Sequence, residues 1–142
     1  MADVLTRRAR SELMSRVRSR GNKSTELRLV LLMRAGGVTG WRRGRKLFGK
    51  PDFVFPEVRV AVFVDGDFWH GHPKTFRQPK GNFEFWQQKI TRNRARDRIV
   101  NRSLRVKGWR VLRIWESTLA KRPASVLRRL NAAIAQRFLE QT

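Results

Sequence analysis

The chain has 142 residues, 40% of them hydrophobic, and sets 33 Lys and Arg against 11 Asp and Glu for a net charge of +22. That length suits one domain with a real core, and that apolar content excludes a disordered basic tail. The longest apolar runs, Leu29–Met33 and Val60–Val64, hold five residues each, too few to span a bilayer. With no Cys there is no disulfide and no thiolate zinc site. The charge implies salt-sensitive attraction to phosphate backbones. Early arginines without an apolar stretch give no secretory signal, so a cytoplasmic, nucleic-acid-facing protein is expected.

In chain order, residues 1–23 read as a basic arm, ordered on its partner, and residues 24–142 as the folded domain. Ser24 is the expected N-cap of a first helix, with Glu26 in the first turn where the dipole favours an acid. Leu27, Val30, Leu31 and Arg34 follow at helical spacing until Gly36-Gly37 stops the helix. Trp41 to Leu47 is a basic, strand-like segment. Pro51–Phe55 and Arg59–Asp65 read as two central strands joined by a turn at Pro56-Glu57, and residues 71–82 as a loop.

Asn82 is the expected cap of a long helix to about Lys107, ended by Gly108. Its inward stripe runs Trp86, Ile90, Asn93, Asp97, Val100 and Leu104, and Asp97 stands where an apolar residue would pack. Trp109–Trp115 reads as another strand. Pro123 then opens a last helix with Leu127, Leu130, Ile134 and Phe138 on one face. The sum is a mixed α/β domain, a small central sheet flanked by helices.

The chemistry concentrates around two strand ends. Asp52 alone would read as a turn carboxylate paired with an arginine, and Asp65-Gly66-Asp67 as an ordinary turn. Together they form an acid group on a basic scaffold, and Mg²⁺ typically takes one or two protein carboxylates plus waters and substrate phosphate. His70 follows Phe68-Trp69 within reach of those acids, where a neutral imidazole can deprotonate water. Asp97 is the candidate to orient that ring. Phe68 and Trp69 cannot both point inward, and an exposed aromatic beside basic residues stacks on bases or wedges between them. Arg92, Arg94, Arg96 and Arg98 crowd the long helix as a track for phosphates.

Taken together the residues resemble the very-short-patch-repair (Vsr-type) DNA mismatch endonucleases, a branch of the PD-(D/E)XK restriction-endonuclease-like superfamily. The matching pieces are Met14 to Arg20, Thr25-Glu26, Gly49 to Phe55, Val62–His72, Glu84-Phe85-Trp86, Lys89-Ile90, Asn93 to Asp97, and Gly108-Trp109-Arg110-Val111 through Trp115-Glu116. The resemblance implies a restriction-endonuclease-like domain that nicks one strand of double-stranded DNA beside the thymine of a G·T mispair with Mg²⁺. It also implies a mismatch-repair protein as partner and a place near the nucleoid. It makes Asp52 the metal-binding acid, assisted by the main-chain carbonyl of Val64. His70 becomes the activator of water, supported by Asp97, and Glu26 acts through the metal's water shell. Met14, Phe68 and Trp69 fall on the residues that wedge into the duplex, with Arg16, Arg20 and Arg94 as further DNA contacts.

Two departures stand out. Asp65 replaces a histidine usual in the family, so it joins Asp52 either as a stronger metal ligand or as the recruiter of a second ion. The family's largely cysteine zinc site reads Asp67, His72, Pro73 and Ser117 here, and no zinc is expected. Two other readings stay open: the same nuclease core serving restriction or defence on another DNA structure, and a non-catalytic nucleic-acid-binding module. The module gains nothing from acids grouped near a phosphate track unless a cation neutralises them.

Overall fold

The computed structural model describes residues 23–44, 46–67, 70, 81 and 83–141. Outside the described residues lie all but the last residue of the basic arm, with Met14, Arg16 and Arg20, and also Phe68, Trp69, His72 and Asn82. Helix α1 (Lys23–Ala35) already includes Ser24, which is therefore not its cap. Its inward face is Leu29, Val30 and Met33, whereas Leu27 and Leu31 are 53% and 65% exposed. The stripe expected from sequence shares only Val30 with the real one, because neighbouring stripes lie only about 100° apart on a helix. The stop is a Schellman turn: Gly37 sits at φ +70, with bonds from Val38 N–H to the Met33 carbonyl (2.8 Å) and from Gly37 N–H to the Arg34 carbonyl (3.2 Å).

The segment from Trp41 to Leu47 makes only an isolated bridge, Arg42 to Val54, and not the expected strand. Gly40 and Gly44, both at positive φ, break the extended run on either side of it. Strand β1 (Phe53–Phe55) pairs antiparallel with β2 (Val60–Asp65), which pairs in parallel with β3 (Arg110–Trp115). The order β1-β2-β3 makes β2 alone central and β1 an edge.

Parallel strands need a crossover, and helix α2 (Phe83–Val106) supplies it. It ends at Gly108 as expected, in a second Schellman turn with Trp109 N–H on the Leu104 carbonyl at 2.9 Å. A short helix, α3 (Glu116–Lys121), was not legible: six residues are too few to display a 3.6-residue period. Helix α4 (Pro123–Gln141) begins at Pro123 as expected. Its buried residues are Val126, Leu130 and Ala133, while Phe138 is 60% exposed and lies outside the core.

The two-residue period of the strands sorts the sheet into two faces. Phe53, Phe55, Val60, Val62 and Ile114 pack on α1, α3 and α4 in the main core, against Leu29, Met33, Leu119 and Leu130. Val54, Ala61 and Phe63 point the other way, onto Val100 and Leu104 of α2. The approach to β1 is tightly specified. Gly49 (φ +82) has a backbone so close to α2 that a Cβ would lie 2.3 Å from Val100 Cγ1, Lys50 is left-handed (φ +52), and Pro51 is buried. Among the described residues no helix is long and apolar enough to cross a membrane.

Candidate active site

Strand alternation decides which polar side chains meet. Asp52 shares a face with Val54, Asp65 with Phe63, and Arg113 with Val111, so all three project toward α2. There the polar break in the helix stripe, Asn93 and Asp97, faces them. The result is a cavity of about 120 Å³ lined by Asp52, Val64, Asp65, His70, Asn93, Asp97 and Arg113, with Lys50 and Arg96 on its wall.

Asp52 lies just before β1, where its Oδ2 accepts a 2.7 Å bond from Val64 N–H. Its own N–H bonds the Val62 carbonyl. By the strand period the Val64 carbonyl points to that same edge, beyond the start of β1. Burial pushes the Asp52 carboxyl up to about 7; the Val64 N–H opposes this, and the neighbouring carboxyls of Glu26 and Asp65 add to it. Glu26 reaches out from α1 and pairs with Arg43 at 2.6 Å.

Asp65, at the end of β2, is buried and takes Arg113 Nη1 on both oxygens, at 3.0 and 3.2 Å. Burial still raises its pKa, outweighing the opposing charges of His70 and Arg113. His70 is held in a turn by its N–H on the Gly66 carbonyl. Its Nδ1 lies 2.5 Å from Asp97 Oδ2, and its Nε2 is 3.8 Å from Asp65 Oδ1. Burial alone would lower the imidazole's pKa, but the bond to Asp97 and the two carboxylate charges outweigh it, and the net shift is upward.

Four of the residues expected from sequence to carry the chemistry, Asp52, Asp65, His70 and Asp97, therefore meet in one cavity, and Glu26 stands beside Asp52. Arg94 is exposed on α2, outside that lining. Asp65, His70 and Asp97 offer ligand atoms within 4.8 Å of one another, a grouping suited to a divalent ion. Of the positions where the resemblance puts a zinc site, Asp67 and Ser117 are joined to each other: Asp67 Oδ1 accepts the Ser117 N–H at 3.1 Å.

Sequence reasoning passed over Arg113. Besides Asp65 it contacts Asn101 Oδ1 (2.8 Å) and Asp97 Oδ1 (3.4 Å), and it lies over the Phe63 ring at 4.2 Å. The signal was available: alternation in Arg110–Trp115 sends Arg113 inward, opposite the one acid on the helix stripe.

Acids, a histidine and cations around one cavity, on a scaffold charged at +22, have the make-up of a nuclease site. Residues 2–75 match the family described as DNA mismatch endonuclease Vsr. The chain is 42% identical over 134 residues to a type II nicking enzyme of Neisseria meningitidis serogroup C, covering 93% of this chain and 90% of that one. It is 39% identical over 121 residues to a type II nicking enzyme of Xanthomonas oryzae pv. oryzae (84% and 88% covered). Against the DNA mismatch endonuclease Vsr of Escherichia coli K12 it is 39% identical over 123 residues (86% and 78% covered). The chain belongs to the Vsr family. It is accordingly a DNA endonuclease, a hydrolase whose substrate is DNA, and its family and acid–histidine group point to a divalent metal.

Proposed function

We propose that the protein nicks one strand of duplex DNA beside a G·T-type mispair, with Mg²⁺, as a step of DNA mismatch repair. The observation that carries this reading is the single cavity that joins Asp52, braced on Val64, to a His70 ring held by Asp97. The relative named a mismatch endonuclease supports the substrate.

The donor set fits a hard divalent cation. Burial lifts the Asp52 carboxyl to about 7, and the neighbouring carboxyls of Glu26 and Asp65 add to the rise; a cation there would offset both. Asp52 and the carbonyl of Val64 would hold the ion, and Glu26 would order its water shell. The ion supplies Lewis-acid polarisation of the phosphate and neutralises developing charge.

The chain's own groups do the rest. The Asp97 carboxylate accepts a hydrogen bond from His70 Nδ1–H, which leaves Nε2 as the acceptor for a proton from the attacking water. Asp65, 3.8 Å from Nε2, stabilises the imidazolium so formed. Lys50 and Arg96 offer positive charge to the phosphate, and the arginines of α2 extend that track along the backbone. Met14, Phe68 and Trp69 wedge the mispaired step, which opens at lower cost than a paired one.

The test is strand-specific cleavage of labelled duplexes that differ in one pair, matched or G·T, with and without Mg²⁺. A Mg²⁺-dependent nick beside the mispair alone is expected. Several relatives are named type II nicking enzymes, which favours one second reading, a restriction-associated role. Nicking without mismatch preference would select it. Absence of any cleavage, with tight salt-sensitive binding, would leave a binding module.

A further inference from the structure

We propose that Arg113 is a positioning residue that serves the Asp65–His70–Asp97 group as a built-in cation, so that this group aims the His70 ring and takes no metal ion of its own. The inference rests on the nuclease reading above, in which the divalent ion belongs to Asp52.

The three ligand atoms that lie within 4.8 Å of one another would suit a divalent ion in an empty cluster. The cluster already holds a guanidinium: Arg113 Nη1 is 3.0 Å from Asp65 Oδ1 and 3.4 Å from Asp97 Oδ1. The Asp65 oxygen nearest His70 is the same one that Arg113 grips. Mg²⁺ requires ligands at about 2.0–2.1 Å in near-octahedral array, so the guanidinium would have to leave before an ion could enter.

It is poorly placed to leave. Its Nε donates to Asn101 at 2.8 Å, and one face lies on the Phe63 ring at 4.2 Å. An arginine fixed at both its fork and its face loses little freedom by staying. Two carboxylates, one guanidinium and a neutral imidazole sum to a single negative charge, enough to welcome a proton on His70. Without Arg113 the same group would carry two negative charges, the complement of a divalent ion.

Arg113 also sets geometry. Both oxygens of Asp97 are used, Oδ2 by His70 Nδ1 and Oδ1 by Arg113. The carboxylate thus has one orientation, and through it the imidazole has one tautomer with Nε2 toward Asp65. A buried acid at the end of β2 needs a cation, and Arg113 meets that need from the neighbouring strand β3.

The experiment compares the full chain with Arg113→Met, which keeps most of the packing on Phe63, and with Arg113→Lys, which keeps the charge without the fork. Mn²⁺ binding without DNA counts ions, single-turnover nicking gives the rate, and imidazole nitrogen shifts of ion-free protein report the His70 tautomer. We expect one ion for the parent and for Arg113→Lys, and two for Arg113→Met. The rate should fall on the order of 10–100-fold in Arg113→Met with DNA affinity unchanged, the scale of losing a group that orients a reacting residue. In that variant His70 should become a tautomer mixture. Arg113→Lys should lose about tenfold, and it carries the test if Arg113→Met does not fold. Two ions in the parent, or an Arg113→Met protein with the parent's ion count, rate and tautomer, would overturn the inference. An ion count insensitive to Asp52→Asn would instead refute the metal reading at Asp52, and the tautomer would still decide the role of Arg113.

Discussion

One face of the three-stranded sheet is apolar but for Arg110 at the start of β3, and the other turns polar halfway along. On the α1, α3 and α4 side, Phe53, Val62, Ile114, Leu119 and Leu130 are all at most 2% exposed. On the α2 side, Val54, Ala61, Phe63, Val100 and Leu104 make a small patch that gives way to Asp52, Asp65, His70, Asp97 and Arg113. The same strands build both, since alternate residues face opposite ways. The first face supplies the burial that stabilises the fold, and this is what lets the second hold mutually repelling carboxyls in a buried cavity.

That division can be broken from either side. The largest effect is expected on the polar face: His70→Ala should slow single-turnover nicking by about 10²–10⁴-fold, the usual contribution of a general base. Thermal unfolding should barely move; a loss of melting temperature as large as that of a core variant would make His70 structural. On the apolar face, Leu130→Ala should cost about 2–5 kcal/mol by leaving a cavity. Calorimetry would register this as roughly 10 °C in Tm, while the nicking rate of the folded fraction stays near the parent's.

A smaller effect links the two faces through pH. Folded Asp52 keeps its proton up to about 7, against 3.8 for the unperturbed side chain. Between those values the folded protein binds more protons than the unfolded one, so ion-free stability should fall as pH climbs from about 4 to about 7. Asp65 and His70, also shifted upward, act in the same direction, His70 from 6.5 upward. Denaturant midpoints across that range should slope downward, and Asp52→Asn should flatten the slope; equal slopes would mean that Asp52 is not the group responsible. Smallest of all, Leu31→Ser on the solvent side of α1 should stay within about 0.5 kcal/mol, as urea midpoints would show.

How legible the molecule was follows the same division. The acids stood out because a carboxylate at a strand end or on a helix stripe violates an apolar pattern, and a violation is visible in one dimension. The glycine stops of α1 and α2 were readable for a similar reason, since few residues other than Gly serve there. Leu27 and Leu31 misled because α1 carries leucines on two adjacent stripes, and only the neighbours of the folded helix choose between them. Arg113 was missed because its meaning lies in its partners. Among 33 Lys and Arg one more arginine says nothing, until β3 sets it against Asp65 from β2 and Asp97 from α2.

The approach to β1 has a consequence for how the enzyme meets its substrate. Gly49 is confined by Val100, Lys50 is left-handed, and the ring of Pro51 fixes the next φ, so Asp52 emerges from three residues with little freedom. The entropy of placing that carboxylate is lost once, during folding, and not again at each encounter with DNA. In the proposed reaction, binding energy gathered along the arginines of α2 would then be free to distort the duplex, with the reacting centre preorganised before the substrate arrives.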